Sequence, residues 1–223
     1  MTSPHRSLLA SRRFLPLFCV QFLGAFNDNI FRFALLTLIT YQFSQTEGFD
    51  PAKLTMLAAG LFILPFFLFS ASAGLLADRY SKTLCIRYIK LFELLIMLFA
   101  ALALDQQWWY LLFFCLALTG LQSALFGPVK YAILPQLLAR QELLSGNAWV
   151  TAGTFVSVLL GTMLGGLLVM AESGRLWVAV VLCAVAFLGY LASLLIPKTL
   201  PANNQTALSF NFIASTARVI SSG

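Results

Sequence analysis

Six long apolar stretches divide this chain, and they constrain it more than any other feature. Each is about 20 residues or longer, the length needed to cross a bilayer as a helix. They lie near Phe14–Tyr41, Leu54–Ala77, Leu84–Leu104, Trp108–Phe126, Ala148–Met170 and Leu176–Ile196. The first is interrupted by Asn27, Asp28, Asn29 and Arg32, and a span of that length is accommodated by tilt. With 60% apolar and only 10% charged residues, the chain has too few charges to solvate a soluble domain, which averages about 25%. Disordered, collagen-like and disulfide-rich secreted classes are excluded by the same composition, the 4 Cys lying inside apolar runs. The expectation is an all-α membrane protein of six transmembrane helices over 14–196, with a cytoplasmic N-terminus over 1–13 and a cytoplasmic tail over 197–223.

Charge placement orients the bundle. The net charge of +6 forms no basic face, so nucleic acid is not an expected partner. Arg6, Arg12, Arg13, Arg79, Lys82, Arg87, Lys130, Arg140, Lys198 and Arg218 fall on one side of the spans, and only Lys53 and Arg175 on the other. This bias predicts that both termini are cytoplasmic. Trp108, Trp109, Tyr110 and Trp177 sit at the opposite border, where amphipathic rings anchor. The first span follows basic residues but carries Asn27-Asp28-Asn29 in place of a small-residue cleavage site, so it is expected to be retained.

A few polar residues inside the spans are costly enough to need a reason. Asp28 lies ~21 Å along the first helix, within the hydrocarbon core. A carboxylate there costs at least about 2.5 kcal/mol, so it should face a bundle interior or a wet cavity. Arg32 is one turn on and within reach of Asp28. Two readings stay open: a neutral pair that stabilises packing, or a polar site that meets substrate or a coupling ion, with Asn27 and Asn29 adding polar surface. In the third span Lys90 and Glu93 are three apart, either a packed pair or a functional one, and Lys90 is near enough to the border to snorkel. Thr119, Gln122 and Ser123 in the fourth span are expected to bridge helices, with Gln122 kept as a candidate. The fifth carries a ladder of small residues, Gly153, Ser157, Gly161 and Gly165, that lets another backbone approach.

Between the second and third spans the chain reads Gly74-Leu75-Leu76-Ala77-Asp78-Arg79-Tyr80-Ser81-Lys82. Here Gly74 would allow close packing and Asp78 would cap the next helix or pair across the loop. This run resembles the 2–3 loop signature of the major facilitator superfamily, with Ser81 and Thr83 replacing a Gly and a basic residue. The resemblance implies a conformational gate at Gly74, Asp78, Arg79 and Lys82.

A second run, Gln21-Phe22-Leu23-Gly24-Ala25-Phe26-Asn27-Asp28-Asn29, with Phe126-Gly127-Pro128-Val129-Lys130-Tyr131 after the fourth span, is similar to the bacterial lysophospholipid transporter branch of that superfamily. That branch also occurs fused to acyltransferase and acyl-acyl-carrier-protein synthetase domains. The resemblance implies inward movement of lysophospholipid, chiefly lysophosphatidylethanolamine, across the bacterial inner membrane for reacylation, with an acyltransferase or synthetase as partner and no cofactor. It also implies the N-terminal six-helix half of a facilitator fold, whose site forms between two halves near the midplane. A missing C-terminal half or a second copy would then cover the polar face. The stretch after Pro197, with Asn203, Asn204 and Gln205 followed by 210–220, reads as the start of a central loop, so a truncated or split gene product, or an isolated N-terminal half, is expected.

Two rival readings come from other classes. A membrane acyltransferase would need a His and an Asp separated by four residues, but the single His5 is followed at that spacing by Ala10, and no metal-ligand cluster, triad or phosphate loop is present. A non-transporting membrane scaffold, or a facilitator carrier for another small amphiphile or solute, remains as an alternative.

Overall fold

A computed structural model describes residues 8–43 and 50–199. His5, Arg6, Glu47, Arg218 and the tail residues from Leu200 onward lie outside the described residues. Six helices longer than twenty residues run through the rest: α1 Leu15–Leu38, α2 Pro51–Arg79, α3 Lys82–Gln106, α4 Trp109–Ala132, α5 Leu143–Met170 and α6 Gly174–Leu194. Among the described residues no strand occurs.

Local chemistry sets the helix ends. Pro16 stands in the first turn of α1, where a missing N–H costs nothing. Pro51 does the same for α2, and the Asp50 carboxylate accepts from the Ala52 N–H at 2.9 Å. The expected spans agree with these helices to within about three residues, except that α4 continues through Gly127-Pro128 to Ala132 and α5 begins at Leu143 rather than Ala148. Lys130, expected in a loop, therefore stands on the last turn of α4, next to the Tyr131 ring.

Five of the helices are long and apolar enough to cross a membrane. The sixth, α3, misses that standard because it carries Lys82, Arg87, Lys90 and Glu93. Its two deep charges, Lys90 and Glu93, face the interior and are buried. The outward faces of α2 and α5 are apolar and exposed, with Met56, Phe67, Phe155 and Leu159 pointing away from the bundle. Such surfaces require lipid as solvent.

Sequence neighbours are not always spatial neighbours. α1 packs chiefly on α5 and α6, α2 on α4, and α3 on α6 and α4, whereas α2 and α3 scarcely touch. The interior is layered along the helix axes. One apolar layer gathers Ile30, Phe31, Leu35, Met97, Leu116 and Leu182. The other gathers Phe14, Leu17, Ile86, Val129, Leu134 and Leu138. Between these layers α1, α3 and α4 carry buried polar side chains, and these form the candidate site described next.

Candidate functional site

Three helices each bring polar side chains to the middle layer: Asn27 and Asp28 from α1, Lys90 and Glu93 from α3, Gln122 and Ser123 from α4. All except Ser123, which is half-buried, are buried. Glu93 is the hub. Its Oε2 accepts from Lys90 Nζ at 2.5 Å and from Gln122 Nε2 at 2.8 Å, and its Oε1 accepts from Asn27 Nδ2 at 3.5 Å. Lys90 is 0% exposed, and its ammonium also lies 5.3 Å from the centre of the Phe126 ring. It fits because Gly24 has no side chain: a Cβ there would collide with Nζ. A buried ammonium is tolerated only when paired, and here the partner sits one helical turn away.

Asp28 is held differently. Its Oδ2 accepts from the Ser123 hydroxyl, which also lies 3.2 Å from Gln122 Oε1. Its Oδ1 has no partner among the described residues, although the side chain is only 8% exposed. Asn27 Oδ1 is likewise buried and unpartnered there. Two acceptor oxygens on adjacent residues of α1 thus stand free in the mid-bundle layer. Buried polar atoms are nearly always satisfied; of the three exceptions among the described residues one is a donor, Gln21 Nε2, and the two adjacent acceptors mark where a hydrogen-bond donor or a cation would be welcomed.

Several expectations are corrected by the geometry. Arg32 does not pair with Asp28 in this structure. Its guanidinium donates to Asn29 Oδ1 at 2.5 Å and lies 5.2 Å from the Phe62 ring on α2. Asn29 in turn donates to the Ala25 carbonyl at 2.7 Å, so it is occupied within α1. Lys90 does not snorkel, because Glu93 offers it a partner deep in the bundle. Thr119 donates to its own helix at Cys115 O rather than bridging helices. The bridging roles belong to Gln122, which reaches α3, and Ser123, which reaches α1.

The 2–3 loop also differs from its expected form. A Cβ added at Gly74 would meet nothing within 4 Å among the described residues, so the glycine packs against no neighbour. Asp78 is exposed on the last turn of α2 and makes no ion pair among the described residues. It does not cap α3; the Thr83 N–H at that helix start donates to Thr199 Oγ1 at 3.2 Å. Arg79 lies beside the Tyr80 ring, and Lys82 is buried. The ladder on α5 behaves as its spacing predicts: Gly153, Ser157, Gly161 and Gly165 are all buried, and a Cβ at Gly161 or Gly165 would lie 2.5 Å from the carbonyl of Phe26 or Ile30 on α1.

From sequence alone Lys90 is read as a packed or functional partner of Glu93, on their three-residue spacing in an apolar helix, and Ser123 as a helix bridge; neither is singled out as a substrate or ion residue, and Gly24 has no role. Ser123 does bridge, but its partner Asp28 is 95 positions away and spacing does not name it.

Comparison with known proteins supplies the family. The pattern of the Major Facilitator Superfamily matches residues 17–219. The chain belongs to this superfamily. Among curated proteins, this facilitator is 30% identical over 200 residues to the lysophospholipid transporter of Cronobacter sakazakii, covering 88% of the chain and 46% of that relative. It is 32% identical over 197 residues to the lysophospholipid transporter of Escherichia coli O1:K1, covering 88% and 45%. With that of Serratia proteamaculans it shares 29% over 205 residues, covering 90% and 47%. The facilitator chain thus spans about half the length of the curated relatives it matches. Those relatives carry the names of transporters, not enzymes.

Proposed function

We propose that this chain is the N-terminal half of a lysophospholipid carrier, with both termini cytoplasmic and the polar layer of α1, α3 and α4 as its share of the substrate path. The observation that carries this reading is the unpartnered Asp28 Oδ1 beside Asn27 Oδ1 in a polar layer enclosed between two apolar ones. A lysolipid has one acyl chain and a charged head, so its carrier needs greasy walls with an isolated counter-charge. Asp28 would meet the ammonium of lysophosphatidylethanolamine or a coupling cation. Glu93, already accepting from three donors, holds Lys90, Gln122 and Asn27 in place around it. Arg32 and Asn29 hold each other at the edge of the site, toward α2.

The names of the relatives support the cargo, and their bacterial sources support the inner membrane. Inward movement would deliver lysolipid to a cytoplasmic acyltransferase or acyl-acyl-carrier-protein synthetase. A complementary six-helix half, or a second copy, would close the path over α1 and α4. In the 2–3 loop, exposed Asp78 and Arg79 would engage that other half as a gate, with Gly74 and Lys82 framing them.

The test is uptake of labelled lysophosphatidylethanolamine by spheroplasts expressing the full chain together with the remaining helices of the Escherichia coli relative. Asp28→Asn keeps an acceptor for Ser123 but loses the charge, so uptake should fall at least tenfold while membrane insertion is unchanged. A non-transporting scaffold predicts that Asp28→Asn is silent, and a carrier for another amphiphile predicts no uptake of this lipid by the parent chain. Either result removes the proposal.

A further inference from the structure

Where α2 and α3 diverge at the basic end of the bundle, two cavities meet. One, of about 630 Å³, is lined by Arg79, Arg87 and Lys198 and, among the described residues, by no acidic side chain. The other, of about 440 Å³, is an apolar groove that runs up between the helices over Leu76, Tyr88, Ile89 and Phe92, with Leu125 of α4 at its floor. The two share Tyr80 and Leu84. Both volumes fall in the range of small-ligand pockets.

The Ser81 and Thr83 hydroxyls around the basic cavity are already used. Ser81 Oγ donates to the Thr199 carbonyl at 2.9 Å and Thr83 Oγ1 to the Pro197 carbonyl at 2.7 Å. Arg87 is fixed by donating to the Leu194 carbonyl at 3.0 Å, at the end of α6, but a neutral carbonyl leaves its charge uncompensated. Arg79 lies against the Tyr80 ring, and Lys198 is exposed. Asp78, the nearest acid in sequence, does not line the cavity. Three cations without a counter-ion among the described residues therefore face one concave space at the foot of an apolar groove.

We infer that this paired cavity binds an anionic diacyl phospholipid of the adjoining leaflet, its phosphate among Arg79, Arg87 and Lys198 and one acyl chain along the α2–α3 groove. Any groove on a membrane protein meets lipid; the selectivity comes from the cations. A phosphodiester satisfies them through charge-assisted bonds, whereas the ammonium of a zwitterionic headgroup is repelled. The site shares no residue with the Asp28 layer and is independent of the cargo proposed above, although Arg79 also belongs to the proposed gate.

Native mass spectrometry of the full chain in mild detergent, with equal amounts of phosphatidylglycerol and phosphatidylcholine of matched chains, reads the site. Phosphatidylglycerol should be retained in preference. Lys198→Gln, at an exposed position, should cut that retention about fivefold, the effect of one basic group near a membrane phosphate. Arg79→Gln should do the same. Lys53→Gln, exposed at the first turn of α2 at the other end of the bundle, should retain the parent level. Equal retention of the two lipids, parent-level retention in both Lys198→Gln and Arg79→Gln, or an equal loss in Lys53→Gln would overturn the inference. Complete displacement by excess inorganic phosphate would overturn it too, since the pocket would then read phosphate without a lipid.

Discussion

The two faces of α1 are built on opposite rules. Toward α5 it meets the ladder of Gly153, Ser157, Gly161 and Gly165, and at Gly161 and Gly165 backbone approaches backbone with no room for an extra methyl. Toward α3 and α4 it meets Glu93 and Ser123, and contact is made by hydrogen bonds among buried polar groups. The first face fails when volume is added. The second fails when a partner is removed. One helix thus serves both as a packing post and as one wall of a polar layer, and the small residues on α5 bring it close enough to do both.

The largest effect should come from the polar face. Glu93→Ala strands the Lys90 ammonium, which is fully buried and has its carboxylate partner in Glu93. Removing one member of a buried pair costs about 3–5 kcal/mol, so the variant should lose most of its resistance to denaturant in bicelles. Glu93→Gln, which keeps an acceptor for the ammonium, should recover part of it. If Glu93→Ala unfolds like the parent chain, the polar layer is wet enough to solvate Lys90 by itself.

On the packing face, Gly161→Ala places a methyl 2.5 Å from the Phe26 carbonyl. Alanine favours a helix over glycine by about 1 kcal/mol, yet overpacking against a rigid backbone costs about 1–3 kcal/mol and should win, for a net loss of up to about 2 kcal/mol. A lowered thermal midpoint with unchanged helix content is the expected result. Back on the polar face, Ser123→Ala removes the one donor to Asp28 found among the described residues and leaves the whole carboxylate without a partner. The loss should be about 1–2 kcal/mol, smaller than for Glu93→Ala because Asp28 already tolerates one unpartnered oxygen. The same denaturant series would rank the three.

Much of this contrast is legible in the sequence, and unevenly so. Features carried by one helix read well: the span lengths, the ladder on α5 at every fourth residue, and Lys90 three positions before Glu93. Features that need two helices do not. The i, i+4 spacing of Asp28 and Arg32 suggests a pair, but Asn29 and the Phe62 ring compete for the guanidinium and win. The α3 cap comes from Thr199, 116 positions from Thr83, and no local pattern announces it. Spacing along one helix says which side chains share a face, not which helix will lie against that face.

Gly74 is the smallest and most discriminating case, because it looks like Gly161 in sequence and differs from it in space. Both are helical glycines in apolar surroundings. At Gly161 an added methyl meets the Phe26 carbonyl, while at Gly74 it meets nothing within 4 Å among the described residues. Gly74→Ala should therefore lose no contact and should restrict the unfolded chain, stabilising the protein by about 0.5–1 kcal/mol. The same substitution would then carry opposite signs at two glycines, and the sign would report helix–helix distance. Were Gly74→Ala instead to destabilise the chain when it is joined to a complementary half, the methyl would be meeting that half. The 2–3 loop would then be an interface in the assembled carrier, as a gate between halves requires.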